Sequence, residues 1–171
     1  MIEAKYKHTK FGNLMFKLCA GWTMFIVKHR ILYYILSCTW GLLLTLIGLI
    51  VTLSLSIIKL FIKSIKFEKF AWVYFIGIGV QWGGFETGLM FVRDLDSSKG
   101  LSQHEFGHTF QNTLFGPIQI IWSISSMIRY WYITIRCLRG HTVGEYDSYW
   151  LEDAASQCGE YADNFISNKD N

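Results

Sequence analysis

From Ile31 to Ile58 no residue carries a charge, and leucine and isoleucine dominate the run. About 20 such residues cross a bilayer as a helix, so this stretch is long enough to span with some tilt. It divides the chain into a basic segment at 1–30, an apolar helix at 31–60 and a domain at 70–171. The competing reading is a helix buried at the centre of that domain, where Gly41, Thr45, Gly48, Thr52, Ser54 and Ser56 would let neighbours approach closely. The flanks do not set an orientation. Lys28 and Arg30 precede the run, and Lys59, Lys63, Lys66 and Lys69 follow it, so the cation bias that orients a span is balanced.

Composition bears on the same question. The chain has 171 residues, of which 51% are hydrophobic and 17% aromatic, with a single proline. That is unlike either a disordered chain or an ordinary soluble enzyme. The length suits one domain plus a membrane segment. A net charge of +3, with the cations flanking apolar runs, points to lipid headgroups as partners and away from nucleic acid. Residues 1–30 alternate Lys5, Lys7, Lys10, Lys17, Lys28 and Arg30 with large apolar side chains, the pattern of an amphipathic helix on a membrane surface. A signal peptide fits less well, because Gly21 and Thr23 break the apolar core and no small-residue cleavage site follows. Cys19, Cys38, Cys137 and Cys158 lie far apart without a C-x-x-C pair, which predicts buried free thiols.

Beyond the apolar run the pattern changes. Trp72 to Trp82 alternates aromatic and β-branched residues with smaller ones, Gly83-Gly84 offers a turn, and Phe85 to Val92 resumes, so a β-hairpin is expected. A polar loop at 93–100 leads into a helix expected at 102–115, with Ser102 and Glu105 as a capping box and Gly116-Pro117 as its stop. Pro117 opens a further helix that ends between Arg136 and Gly140. Its uncharged part, Phe115 to Ile128, is short for a span, and the cluster Arg129-Tyr130-Trp131-Tyr132 follows, so a buried, re-entrant or interfacial helix is expected. The last helix starts at Asp147 or Ser148, with Leu151, Ala155, Cys158, Ala162 and Phe165 on one face. The fold class is therefore α+β: a mainly helical, membrane-associated protein with a small β-hairpin or sheet.

Chemistry concentrates on the helix at 102–115. His104 and His108 are four residues apart and share a helical face, so both imidazoles can reach one metal ion. Glu105, one position round, can take a proton from a water in the open coordination position. Two histidines need a third ligand, and Glu152 is the choice, because it flanks the packing stripe of the last helix next to the small residues Ser156 and Gly159. Asp153 and Glu160 are the alternatives. Tyr146, Tyr149 and His141, in or near the loop before Glu152, are candidates for stabilising charge in a transition state.

His104-Glu105-Phe106-Gly107-His108 followed by Glu152-Asp153-Ala154-Ala155-Ser156 resembles the gluzincin zinc metallopeptidases. It is also similar to short bacterial and phage membrane proteins with an H-E-[FY]-G-H helix. The resemblance implies a minimal zincin-like helical core, Zn²⁺ held by His104, His108 and Glu152, Glu105 as general base, and a peptide or protein substrate. It also implies that the strand at Phe85 to Val92 is an edge strand able to pair with that substrate. Members often carry Asp or Asn where this chain has Ser156, a difference that touches the support of a metal ligand. The expected function is a membrane-anchored zinc metallopeptidase, with a non-catalytic membrane protein as the alternative. An intramembrane protease ranks below both: Arg93, Asp94, Asp96 and Lys99 precede the motif, and no aspartate lies between Gly116 and Glu145.

Overall fold

The computed structural model describes residues 1–80 and 82–170 as an α+β fold. Helices α1 (Lys10–Ile26), α2 (Arg30–Cys38) and α3 (Leu42–Lys59) come first, followed by strands β1 (Lys66–Phe70), β2 (Val73–Gly77), β3 (Gly84–Glu86) and β4 (Met90–Arg93). Helices α4 (Lys99–Phe115), α5 (Gln119–Leu138) and α6 (Trp150–Asp170) complete it, with single 3₁₀ turns at Gly116–Ile118 and Tyr146–Ser148.

The uncharged run forms two helices, not one. It breaks at Thr39-Trp40-Gly41, where Gly41 N–H bonds back to Leu36 O at 2.7 Å and the Asn112 amide donates to Gly41 O at 3.3 Å. The run is uncharged on both sides of the break, but α3 is the more apolar helix and the surroundings differ. In α2, Tyr33 and Ser37 are buried, and Tyr33 donates to Thr109 Oγ1 at 2.8 Å with its ring tilted against Phe110. In α3 only Leu44 and Gly48 are buried. Leu42–Lys59, with a mean hydropathy of 2.3 and 11% of its residues buried, is long and apolar enough to cross a membrane.

The sheet is mixed, in the order β1-β2-β4-β3. β1 and β2 are antiparallel, β2 and β4 parallel, and β3 and β4 antiparallel. The hairpin expected around Gly83-Gly84 is therefore replaced by two others. The tight turns fall at Ala71 (φ 49°) and Gly88 (φ 79°), while Gly83-Gly84 leads into β3. As a result β4 is an inner strand, and only Phe85 and Glu86 of the expected edge strand lie at the edge, in β3.

The main core lies where α4 and α6 meet the sheet and α2. Phe106 and Phe110 of α4 pack with Phe75 and Phe91 of the sheet, Tyr33 of α2, and Ala162 and Ile166 of α6. Burying each large side chain contributes about 1.5–3 kcal/mol. A second cluster joins Phe16, Cys19 and Ala20 of α1 to Trp150, Leu151, Ala154 and Cys158 of α6, so the apolar face of α1 lies against the domain. Phe11, Leu14 and Leu18 of α1 are exposed. All four cysteines are free, but Cys38 and Cys137 are exposed because they sit on outward helix faces; only Cys19 and Cys158 are buried.

α4 and α6 touch backbone to backbone. A Cβ on Gly107 would lie 1.8 Å from Ala155 O, and one on Gly159 would lie 1.7 Å from Gln103 O. Glycine at both positions is what brings the histidine helix and the Glu152 helix together.

Candidate metal centre

Helix α4 starts one turn earlier than the capping-box pattern suggests. Its cap is Ser98, whose Oγ accepts from Leu101 N–H at 3.4 Å. Ser102 instead accepts from Arg93 Nη1 at 2.6 Å. Glu105 is thus released from capping and lies inside the fold, 4% exposed.

His104 and His108 present their rings on one face of α4, with Nε2 atoms 3.2 Å apart. Glu152 Oε2 lies 3.1 Å from His104 Nε2 and 3.4 Å from His108 Nε2. Zinc bonds of about 2.0–2.1 Å at tetrahedral angles place neighbouring ligand atoms about 3.3–3.4 Å apart, so this triangle is the right size for one small divalent ion. Among the described residues, these three form the group able to hold a metal.

Each ligand has a partner behind it. His108 Nδ1 donates to Gln111 Oε1 at 2.7 Å, which leaves Nε2 as the ring atom that would carry the lone pair for a metal once the ring is neutral. The Gln111 amide in turn donates to Leu151 O at 2.8 Å, on the helix that carries Glu152. His104 Nδ1 bonds Ser156 Oγ at 2.8 Å, so a serine supports this candidate ligand. Ser126 of α5 donates to Glu152 Oε1, and the Tyr146 hydroxyl bonds the same serine.

The electrostatics follow from charges held close together in a dry site. Burial alone would raise the Glu152 carboxyl, but His108 and His104 overcome it and hold Glu152 well below the usual carboxylate range. Burial would likewise lower His108; the Glu152 charge and hydrogen bond outweigh it and push the imidazole up to about 10. Glu105 is raised by burial, against the pull of both histidines. Glu86, on the edge strand, is pushed up to about 8, chiefly by desolvation, and feels both His108 and Glu105. The Tyr146 hydroxyl is raised by burial and by Glu152.

Edge strand β3 stands over the base: a Cβ on Gly84 would lie 2.9 Å from Glu105 Oε1. The structure therefore gathers His104, Glu105, His108, Glu152 and Tyr146. Tyr149 points elsewhere, to Ser125 Oγ at 3.3 Å and the Trp150 ring. His141 is exposed in the loop after α5, and Glu160 is exposed on the outer side of α6. Asp153 is buried but already committed. It accepts from His8 Nε2 at 2.8 Å and from the backbone N–H groups of Lys5 and Tyr6 at 3.2 and 3.1 Å. Gln111, Ser126 and Glu86 are additions to the residues expected from sequence. Gln111 could have been found, since three residues after His108 it shares that face of the helix. Ser126 lies in an apolar segment, and Glu86 in a strand whose edge position depends on the sheet order.

No known family model matches this chain, and neither the curated proteins nor the solved structures gave a match.

Proposed function

We propose that the protein is a membrane-anchored zinc metallopeptidase. The observation that carries this reading is the triangle of His104 Nε2, His108 Nε2 and Glu152 Oε2, with the buried Glu105 carboxylate next in sequence to one of its corners. Bound there, Zn²⁺ would act as a Lewis acid on the scissile carbonyl and acidify a water molecule. The chain's own residues carry the rest. Glu105, its pKa raised by burial, accepts a proton and returns it to the leaving amine. Gln111 and Ser156 orient the two imidazoles, and Ser126 orients Glu152. Tyr146, reaching Glu152 through Ser126, is the hydroxyl best placed to donate to developing charge. β3 offers its free edge to an extended peptide, and α3 supplies the anchor.

A non-catalytic role for the same helix draws on the near-complete burial of Glu105, and one comparison separates the two. Detergent-purified protein is expected to hold one zinc per chain. Glu105→Gln is expected to keep that zinc and lose hydrolysis by at least about 100-fold, in line with general-base contributions. Equal activity in Glu105→Gln, or no stoichiometric zinc in the parent protein, would overturn the peptidase reading.

A further inference from the structure

Helix α5 is inside out. Only Gln119 and Ser126 are buried along its length, and both are polar. Its inward edge is mainly hydrophilic: Ser125 bonds Tyr149, Ser126 bonds Glu152, and Arg129 donates to Glu145 O, Tyr146 O and Ser148 Oγ, with the large apolar Trp122 packing inward against Phe115 and Trp150. Its outward edge carries Ile121, Ile124, Met127, Ile128, Trp131 and Ile135, with Ile121 63% and Ile128 61% exposed. A helix in water has the opposite arrangement, and an apolar face of this size marks a surface with a partner.

Three observations identify that partner as a bilayer. First, α5 starts where α3 starts. Trp40, just before α3, packs against Gly116 and donates its indole N–H to Leu114 O at 3.2 Å, so the start of α3 lies next to the entry of α5, while further along α3 Gly48 meets Thr87, Thr52 donates to Met90 Sδ, and Val51 and Leu55 pack on the sheet. Second, α5 carries no acid and has Arg136 in its last turn, with the exposed Arg139 following it, which suits anionic headgroups. Third, Tyr130, Trp131 and Tyr132 are exposed together, the residue types that settle at the membrane interface. α5 does not qualify as a span, whereas α3 does.

We infer that α5 lies in the headgroup layer of an anionic bilayer with its isoleucine edge toward the acyl chains, and that this contact holds Ser126 against the metal ligand Glu152. The inference rests on the anchoring of α3 and on the metal site, but not on hydrolysis. The bilayer is then the outer wall of the metal centre. A lipid surface presses the polar edge of α5 inward, and Glu152 is held from both sides: by the backbone of α6 and by a helix that lipid keeps in place.

The test uses the full chain in vesicles of phosphatidylcholine and phosphatidylglycerol, in a Cys38→Ala, Cys137→Ala background. A fluorescent thiol label is placed at Met127→Cys on the outward edge of α5 and, as a control, at Asn168→Cys on α6. The label at 127 is expected to be quenched by doxyl lipid and protected several-fold from iodide, and the label at 168 to behave the opposite way. Equal iodide quenching at both positions overturns the inference. So does protection of position 127 from both quenchers, which would mean a second copy of the chain covers α5. The coupling is read separately by zinc titration. Ile121→Asn with Ile128→Asn is expected to weaken zinc binding in vesicles about tenfold, the lower end of what loss of a ligand's supporting contact costs. Unchanged affinity overturns the link to Glu152. Neither readout depends on peptidase activity, so failure of the catalytic reading would be seen separately.

Discussion

Helix α4 and helix α5 solve opposite problems with similar lengths of chain. α4 buries Ser102, Glu105, Thr109, Gln111, Asn112 and Thr113. α5 leaves most of its isoleucines outside. Buried polar groups are costly unless hydrogen-bonded, and in α4 many of them are: Gln111 bridges His108 to Leu151, Thr109 meets Tyr33, and Thr113 Oγ1 accepts the Trp22 indole N–H at 2.9 Å. Polar residues inside α4 thus build a site. Apolar residues outside α5 point to an apolar surrounding. The difference shows that hydrophobicity alone does not say which way a helix faces in this chain; hydrogen-bond partners do.

The contrast is tested most severely at the α4–α6 contact. Gly107→Ala forces a methyl group onto Ala155 O and is expected to cost about 3 kcal/mol or to prevent folding, the upper end for overpacking. Ile124→Ser, on the outer edge of α5, is expected to cost less than about 0.5 kcal/mol in mild detergent, as an exposed substitution does. Chemical denaturation of the two variants side by side measures the gap; equal losses would erase the distinction between inner and outer helices. A smaller effect belongs to the outer support of the ligands. Gln111→Ala is expected to weaken zinc binding about 10–100-fold, read by competition with a chelating dye, and unchanged binding would mean that the His108 ring needs no second partner.

The last effect is a proton. In the metal-free protein His108 is pushed up to about 10, so at neutral pH it carries a proton that must leave before Nε2 can bind metal. Zinc affinity is therefore expected to rise by about tenfold per pH unit between pH 6 and 9, with about one proton released per ion. Calorimetry in buffers of different ionisation enthalpy counts that proton, and a pH-independent affinity would refute the His108–Glu152 pairing.

The clustering of His104, His108 and Glu152 was legible in the sequence because helical periodicity is local. Four residues bring His104 to His108, and the stripe from Leu151 to Ala162 puts Glu152 at the start of the helix that packs on them. What escaped notice depends on distant contacts. The break at Gly41 lies inside an uncharged run and is stabilised by Asn112, far along the chain. Gly83-Gly84 is a strong local turn signal, yet the sheet turns at Ala71 and Gly88, and β4 inserts between β2 and β3. The Ser102–Glu105 cap was plausible by spacing, but Ser98 precedes it and Arg93 takes Ser102. Asp153, an alternative ligand by type, is occupied by residues near the start of the chain.

That last contact sets an order of events. His8 and Asp153 are 145 residues apart, and Glu152 is next to Asp153. A chain grows at about 5–20 residues per second, and its early parts fold first. α3 is therefore made, and free to enter a bilayer, while both imidazoles still lack their carboxylate. The three candidate ligands come together only when α6 arrives with Glu152, so a ribosome stalled before α6 would hold the two imidazoles without their carboxylate.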